Sequence, residues 1–229
     1  MIVLKHVLLL SALVLVCSGI WTCVVESSGV PQEEVDALKQ IAKTMGITAW
    51  EFKLFNASDC VVGTVEIAPP AQPDQEAEST VTCDCSFSDA TCHIVSIILK
   101  RLNLPGTLPP ELANLTYLQN ISLLANRLSG EIPKEIGNFA NLSYLSLEAN
   151  QFSGPVPSEI GKLVNLHTFR INDNNFNGTI PDFIQNWIQL TRLRISDING
   201  TNQPFPVLDN IKSLRRLYVG CLSVLFMKA

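Results

Sequence analysis

The chain has 229 residues, of which 47% are hydrophobic and 16% are charged, and it contains seven cysteines. This composition excludes a disordered chain and a small scaffold built mainly from disulfide bonds, because it provides enough apolar side chains for a sizeable core. The net charge of −5 hides an uneven distribution, since residues 26–91 carry twelve acidic and three basic side chains, whereas residues 92–229 carry nine and twelve.

Residues 1–26 have the pattern of a secretory signal peptide. Lys5 precedes the uncharged stretch 7–25, which contains LLLSALVLV and is followed by small residues. Because about 20 apolar residues span a bilayer, an uncleaved signal anchor is the alternative interpretation. Both interpretations place the rest of the chain in the secretory pathway and then outside the cell or at its surface, where cysteines form disulfide bonds.

Residues 27–92 are predicted to form an N-terminal cap. A helix is expected over 32–45, with Pro31 near its start, Gly46 at its end and one apolar face, which comprises Val35, Leu38, Ile41, Ala42 and Met45. Residues 66–80 are rich in proline and acidic side chains and show no periodicity, so they are predicted to form a surface loop.

A 24-residue repeat follows Cys92. Four glycines keep this spacing (Gly106, Gly130, Gly154 and Gly178), and so do the leucines Leu118, Leu142, Leu166, Leu190 and Leu214. With Asn126, Asn150 and Asn174 they complete L-x-x-L-x-L-x-x-N-x-[LF]-x-G, a leucine-rich repeat. We therefore assign five repeats to residues 93–213, and an incomplete sixth repeat with a non-matching tail to residues 214–229.

The repeat predicts an α/β solenoid with a parallel β-sheet on its concave face and short helical or extended segments outside. The leucines of L-x-L point inward, because side chains alternate across a strand. Each repeat asparagine is expected to hydrogen-bond the backbone of neighbouring coils. A single repeat cannot bury its own apolar face, so neighbouring repeats must stack.

Four cysteines outside the signal segment are candidates for disulfide bonds: Cys60, Cys83, Cys85 and Cys92. They allow three pairings, of which we favour Cys60–Cys83 with Cys85–Cys92. A metal site at Cys83-x-Cys85 is the alternative, but disulfides are the usual state of cysteines in an extracellular cap.

No catalytic constellation is apparent in the sequence. The glycine-rich loop, strand lysine and paired aspartates of a kinase are missing. The three histidines are His6, His93 and His167, and their positions suggest neither a catalytic triad nor zinc. We predict that this chain is not an enzyme, binds no metal or cofactor, and has no nucleic-acid partner.

Outward-pointing strand positions are the candidate ligand-binding residues. Those we single out are Tyr144, Arg170, Arg192, Arg194, Arg216 and Tyr218, with four arginines on the concave face of repeats four to six. Guanidinium groups suit carboxylate, sulfate or phosphate oxygens. This predicts a protein, peptide or anionic cell-wall ligand, while contact with a co-receptor or another ectodomain, and a solvated face without a role, are the alternatives.

Six N-x-[ST] motifs are predicted to be glycosylated, and they lie at Asn56, Asn114, Asn120, Asn141, Asn177 and Asn199. Asn120 is expected at an outward strand position. A glycan there would cover the concave face over the first three repeats and leave the arginine-bearing end open.

Several motifs in order resemble one family of receptors. LSGEIPKEIG at 128–137 is similar to plant-specific leucine-rich repeats, and CDCSF (83–87), LPPEL (108–112), PDFIQNW (181–187) and RISD-x-x-G-x-x-x-PFP (194–206) resemble plant receptor-like serine/threonine kinases with a malectin-like ectodomain. The resemblance implies an extracellular recognition region followed by malectin-like, membrane-spanning and kinase segments. Arg192-Leu193-Arg194 also resembles an R-x-R pair with which other plant repeat receptors hold a peptide carboxylate.

The chain departs from this family in two places. One repeat between PDFIQNW and RISD is missing, although the join stays in register, and the family sequence stops after Val219. We therefore expect the recognition region of such a receptor, cut before its remaining domains, with membrane attachment only through segments absent here. A secreted stand-alone repeat protein, acting as a decoy or as a polysaccharide or inhibitor-type binder, is the alternative.

Overall fold

The computed structural model describes residues 29–47, 61–64, 79–88, 91–200 and 205–220, with residues 61–64 described by their backbone only. The predicted signal peptide, Cys60, Asn56, most of the proline-rich loop and the tail 221–229 lie outside the described residues.

The helix α1 spans Gln32–Met45 and ends at Gly46, which has the left-handed φ of 81° that favours glycine. Leu38, Ile41 and Met45 on this helix are fully buried. The predicted apolar face needs one correction. Val35 is only half-buried, whereas Glu34 is buried, because Glu34 has hydrogen-bond partners inside the fold that helical periodicity does not reveal.

Eight strands form the main sheet of the described residues; β2 pairs antiparallel with both β1 and β3, and the remaining strands pair in parallel from β3 onward. Three further short strands form a second sheet in the order β5-β7-β9. The strands in chain order are β1 Val61–Thr64, β2 Thr80–Asp84, β3 His93–Ile98, β4 Asn120–Ser122, β5 Ser129–Gly130, β6 Tyr144–Ser146, β7 Gln151–Gly154, β8 Thr168–Arg170, β9 Asn175–Phe176, β10 Arg192–Ile195 and β11 Arg216–Val219.

The parallel strands β3, β4, β6, β8, β10 and β11 pair in a register that matches the sequence spacing. Ile97 pairs with Ile121, and Ile121 pairs with Leu145, so each paired residue lies one repeat length from its partner. The inward residues Ile121, Leu145 and Leu193 have 0% exposure. The core therefore runs along the inner face of the sheet from coil to coil, as the leucine positions predict.

Short 3-10 helices lie between the strands, at Pro110–Asn114, Lys134–Asn138, Ser158–Lys162 and Asp182–Asn186. Each begins directly after a proline of the repeat, for example Pro133 before Lys134. Proline fixes its own φ and donates no backbone hydrogen bond, so it suits the residue that precedes a helical turn.

The repeat asparagines connect neighbouring coils as predicted. Nδ2 of Asn150 donates to the carbonyl oxygens of Leu123 and Leu147, at 2.8 and 3.1 Å, and its Oδ1 accepts from the backbone N–H of Leu128. Asn126 and Asn174 make equivalent contacts. These bonds satisfy buried backbone groups at the bends, where no strand partner is present.

The loop predicted over residues 66–80 ends earlier than the sequence suggests. Thr80 begins β2, and Ser79 is buried with its Oγ accepting a hydrogen bond from the N–H of Lys100. A short strand with mixed burial gives little periodicity in the sequence, which is why the pattern does not indicate β2.

Burial decreases at β11. Leu217 is 47% exposed, although it occupies the same inward column as the fully buried Leu193. Leu214 and Val219 are only partly buried.

Candidate ligand-binding site

Two rows of side chains lie on the outer face of the main sheet, which is the face opposite the leucine core. Strand pairing places each row member beside its counterpart on the next strand. The first row is Ser96, Asn120, Tyr144, Thr168, Arg192 and Arg216, and the second row is Ile98, Ser122, Ser146, Arg170, Arg194 and Tyr218. All six residues predicted to bind a ligand therefore lie on one face.

The rows change in exposure along the sheet. Ser96, Ser122, Ser146 and Thr168 are buried although they point away from the core. A short side chain between strands about 4.8 Å apart is covered by its longer neighbours. At the other end the arginines Arg192, Arg194 and Arg216 are exposed, and we call these three residues the basic patch.

Glu148 joins two of the four arginines. Its Oε1 accepts a hydrogen bond from Nη1 of Arg194 at 2.9 Å, and its Oε2 accepts one from Nη1 of Arg170 at 3.4 Å. The Glu148 side chain is 12% exposed, against 19% for Arg170 and 46% for Arg194. Arg170 is thus mainly committed to a contact within the chain, whereas Arg194 still presents part of its guanidinium to solvent.

The guanidinium groups of Arg192 and Arg216 have no hydrogen-bond or ion-pair partner among the described residues. They face each other in register on β10 and β11, where Cα atoms of adjacent strands lie about 4.8 Å apart. Like charges directly opposite each other destabilise a sheet, so an anion between these two guanidinium groups would relieve the repulsion.

Aromatic rings flank the arginines on the outer face. The guanidinium carbon of Arg194 lies 5.9 Å from the centre of the exposed Tyr218 ring, within the range of a cation–π contact. Tyr144 is half-buried on β6, two strands from the basic patch. Tyr218 therefore contacts the basic patch, whereas Tyr144 lies beside the buried small residues of the two rows.

Sequence reasoning missed Glu148. Glu148 lies 22 residues before Arg170 and 46 before Arg194 in the sequence. On its own coil it takes the next outward-pointing position after the two positions that form the rows. A third outward column with the repeat spacing, comprising Lys100, Leu124, Glu148, Asn172 and Ser196, would have identified it.

A second polar contact missed from the sequence joins α1 to β3. The carboxylate of Glu34 accepts hydrogen bonds from the ring of His93 and from the backbone N–H of Ile94. The His93 ring stacks on Tyr117, with 3.6 Å between the ring centres. This contact is buried and holds the helix to the first parallel strand, so we assign it a structural role.

One of the two favoured cysteine pairs lies within the described residues, where Cys85 and Cys92 are joined by a disulfide bond. The other favoured pair includes Cys60, which lies outside them. Next to the disulfide, the backbone N–H of Ser86 donates to Asp84 at 2.9 Å and holds the pKa of that carboxyl below its usual value.

The predicted glycosylation sites differ in exposure. Asn114, Asn141, Asn177 and Asn199 are exposed, and Asn177 and Asn199 lie side by side on neighbouring coils. Asn120 is half-buried on β4, in the first row of the outer face. A glycan on Asn120 would therefore project from the outer face at β4 and not from the basic patch.

The described ranges contain no group of three or more histidine, cysteine, aspartate or glutamate side chains that could hold a metal ion. Within the same ranges, no helix has the length and apolar character needed to cross a membrane.

The repeats match a known family model, and the whole described fold matches solved structures. A leucine-rich repeat model matches residues 141–163 and 165–187. The described fold is similar to the repeat ectodomain of the receptor kinase SOBIR1 from Arabidopsis thaliana, with a TM-score of 0.65 and 19% identity over 84% of this chain and 94% of that one. The chain therefore contains leucine-rich repeats in a solenoid fold of the kind found in plant receptor ectodomains.

Sequence relatives are plant receptor kinases. The chain is 43% identical over 97 residues to the probable LRR receptor-like serine/threonine-protein kinase RFK1 of Arabidopsis thaliana, which covers 42% of this chain and 9% of RFK1. A second Arabidopsis protein of the same description is 37% identical over 108 residues, which is 46% of this chain and 10% of that protein. The chain thus aligns with about a tenth of the length of these relatives.

A further structural neighbour was solved with a bound partner. It is the ectodomain of the Arabidopsis membrane receptor kinase GASSHO1/SCHENGEN3 in complex with CASPARIAN STRIP INTEGRITY FACTOR 2, with a TM-score of 0.60 and 26% identity over 80% of this chain and 20% of that one.

Proposed function

We propose that this chain is the leucine-rich, ligand-recognising part of the ectodomain of a plant receptor-like serine/threonine kinase, and that its basic patch binds an acidic segment of a peptide or protein. The relatives named as receptor kinases and the ectodomain neighbours support the receptor assignment. The complex of the GASSHO1/SCHENGEN3 ectodomain supports a peptide or protein as the class of ligand.

The finer features of the receptor belong to the same proposal. Residues 27–92 cap the repeats through α1 and two disulfides, Cys60–Cys83 and Cys85–Cys92, and residues 93–213 are five 24-residue repeats. The resemblance of PDFIQNW and RISD to receptors with a malectin-like ectodomain supports the proposal that the natural receptor carries a malectin-like domain after the repeats. We also propose that the chain enters the secretory pathway through its signal segment, residues 1–26.

One observation carries the assignment of the binding site. Arg192 and Arg216 are exposed, adjacent and without a charged partner among the described residues. Arg194 adds the exposed part of its guanidinium, and Tyr218 adds an exposed ring beside it. In our proposal these residues take carboxylate or sulfate groups of the ligand, while Arg170 supports them through Glu148 and Tyr144 contacts the ligand further along the sheet.

Glycans on Asn114, Asn120, Asn141, Asn177 and Asn199, and on Asn56 outside the described residues, would direct the ligand toward the basic patch. The glycan on Asn120 has the greatest effect on where a ligand can bind, because Asn120 is the predicted glycosylation site that lies in the rows of the outer face. Intact-mass measurement of the secreted protein tests this step, and an unmodified Asn120 would remove it.

Titration with a matched pair of synthetic peptides tests the binding site. Ac-(Gly-Asp)3-NH2 and Ac-(Gly-Asn)3-NH2 have nearly the same shape and differ in charge. We expect the acidic peptide to bind the secreted chain and to bind the double variant Arg192→Ala/Arg216→Ala about tenfold more weakly, which corresponds to about 1.4 kcal/mol.

The control for this titration is Arg127→Ala/Lys134→Ala, which removes two exposed positive charges outside the two rows. It should leave the affinity unchanged. Equal losses in both double variants would show that only net charge matters, and no binding of the acidic peptide would contradict the proposal. A galacturonic acid oligomer in place of the peptide tests the anionic cell-wall ligand.

The transcript tests the receptor assignment separately. An open reading frame that continues into malectin-like, membrane-spanning and kinase segments would support it. A stop codon directly after Ala229 in the natural transcript would instead favour the secreted stand-alone protein.

A further inference from the structure

One carboxylate on the outer face is shared by two arginines. Oε1 of Glu148 accepts a hydrogen bond from Nη1 of Arg194 at 2.9 Å, and Oε2 accepts one from Nη1 of Arg170 at 3.4 Å. Each oxygen therefore has its own guanidinium partner. The three side chains carry two positive charges and one negative charge, so the group keeps only one positive charge in excess.

The other acids near this group are bonded elsewhere. Asp173 and Asp197 follow the outward residues Asn172 and Ser196 on the next two coils, and they accept hydrogen bonds from the Asn172 amide and from the Ser196 hydroxyl. Within the described residues, neither of them forms an ion pair with an arginine. Glu148 is therefore the acid that offsets part of the positive charge of the outer face.

Arg194 differs in this respect from the other two members of the basic patch. Arg192 and Arg216 face each other on β10 and β11, and an anion between them meets two positive charges that no described acid offsets. The Arg194 side chain is 46% exposed, so a ligand can reach it. An anion bound there would share Arg194 with Glu148, whose negative charge is mostly buried and repels the anion with little screening.

We propose that Glu148 is an internal counter-ion that limits how many negative charges of a ligand contribute to binding. This inference rests on the proposed function and deepens it, because it adds a specificity-determining residue to the same site. Two acidic groups of a ligand satisfy Arg192 and Arg216. A third acidic group, beside Arg194, meets the opposing charge of Glu148, so the affinity gains little from acidic groups beyond two.

The variant Glu148→Gln separates the charge of this side chain from its geometry. Glutamine has nearly the same size as glutamate and keeps a carbonyl oxygen that accepts from an arginine, but it carries no negative charge. If Glu148 only held Arg194 in position, the variant would bind an acidic ligand no better than the parent. A counter-ion role predicts tighter binding, since the charges of Arg170 and Arg194 are then no longer offset.

Four synthetic peptides of the form Ac-(Gly-X)4-NH2 provide the measurement, with aspartate at one to four of the X positions and asparagine at the others. Isothermal titration calorimetry gives the Kd of each peptide. For the parent, the third and fourth aspartates should change the affinity by less than about twofold. For Glu148→Gln, the third aspartate should raise the affinity by about threefold or more, which is the size expected for removing a unit charge about 8 Å away.

Three further variants control for net charge and for folding. Glu131→Gln removes the same charge from an exposed position outside the two rows and should bind all four peptides as the parent does. Arg194→Gln added to Glu148→Gln should cancel the extra affinity for the third aspartate. In the parent background, Arg194→Gln should weaken binding of the peptide with two aspartates less than Arg192→Gln does, and this comparison remains valid even if Glu148→Gln does not fold.

The outcomes for Glu148 and for the proposed function are distinguishable. Equal affinity of the parent and Glu148→Gln for the peptide with three aspartates would overturn the counter-ion role alone. An equal gain in Glu131→Gln would also overturn it, because only net charge would then matter. Binding by Glu148→Gln but not by the parent would support the counter-ion role and contradict the proposed function, and no binding by either would contradict both.

Discussion

Glu148 and Arg194 are 46 residues apart in sequence and are joined by a hydrogen bond of 2.9 Å on the outer face of the main sheet. The same carboxylate also accepts from Arg170. This arrangement divides the four outer-face arginines into two that are tied to an internal acid and two, Arg192 and Arg216, that are not.

Replacement of Glu148 by alanine should destabilise the chain by about 1–3 kcal/mol. The variant leaves the mostly buried guanidinium of Arg170 without its acceptor, and the half-exposed Arg194 adds little to the loss. Urea denaturation measures the effect. Glu131→Ala, at an exposed position, is the control and should change stability by less than about 0.5 kcal/mol; an equal effect of both variants would show that the Glu148 contacts contribute nothing.

Asn150→Leu should also cost about 1–3 kcal/mol. The leucine is of similar size but leaves the carbonyls of Leu123 and Leu147 and the N–H of Leu128 without their side-chain partner. Asn138→Leu, at an exposed position, provides the comparison and should be close to neutral. Thermal and urea unfolding of the two variants would contradict this account if Asn150→Leu were as stable as the parent.

Ala149→Gly should stabilise the chain by about 0.5–1 kcal/mol. Ala149 has a φ of 56°, in the left-handed region that a residue with a Cβ adopts at a cost. The relief of this strain should exceed the added entropy of glycine in the unfolded chain. Ala140, where φ is not positive, provides the control, and Ala140→Gly should lower the free energy of unfolding by about 0.5–1 kcal/mol. A stability change of the same sign in both variants would refute the explanation.

Leu193→Ala and Leu217→Ala remove the same side chain from neighbouring positions of one inward column. Leu193 has 0% exposure, so its replacement by alanine should lower the free energy of unfolding by about 2–5 kcal/mol. Leu217 is 47% exposed, and its replacement should cost less than half as much, since much of its surface is already in contact with water. Equal losses would mean that β11 is as well covered in solution as β10.

The sequence was sufficient to predict the inner face of the fold. Inward positions such as Leu145 and Leu193 recur with the period of the repeat, because every coil must bury the same column against its neighbours. The repeat asparagines follow the same logic, since each bend leaves the same backbone groups without a strand partner.

The contacts of the outer face were not predictable in the same way. Outward side chains are free to differ from repeat to repeat, so the spacing does not reveal that Glu148 holds Arg170 and Arg194. Glu34 is a comparable case, because an acid near the start of a helix is usually solvated, and only the position of His93 on the adjoining strand explains its burial. The strand β2 was missed because a short strand with mixed burial carries too little pattern.

The most direct test of the binding assignment is a crystal structure of the chain with Ac-(Gly-Asp)3-NH2. Our account predicts peptide density on the outer face, with carboxylate oxygens within hydrogen-bond distance of the guanidinium groups of Arg192 and Arg216. Density for the peptide on the second sheet or against the 3-10 helices, with Arg192 and Arg216 uncontacted, would contradict it.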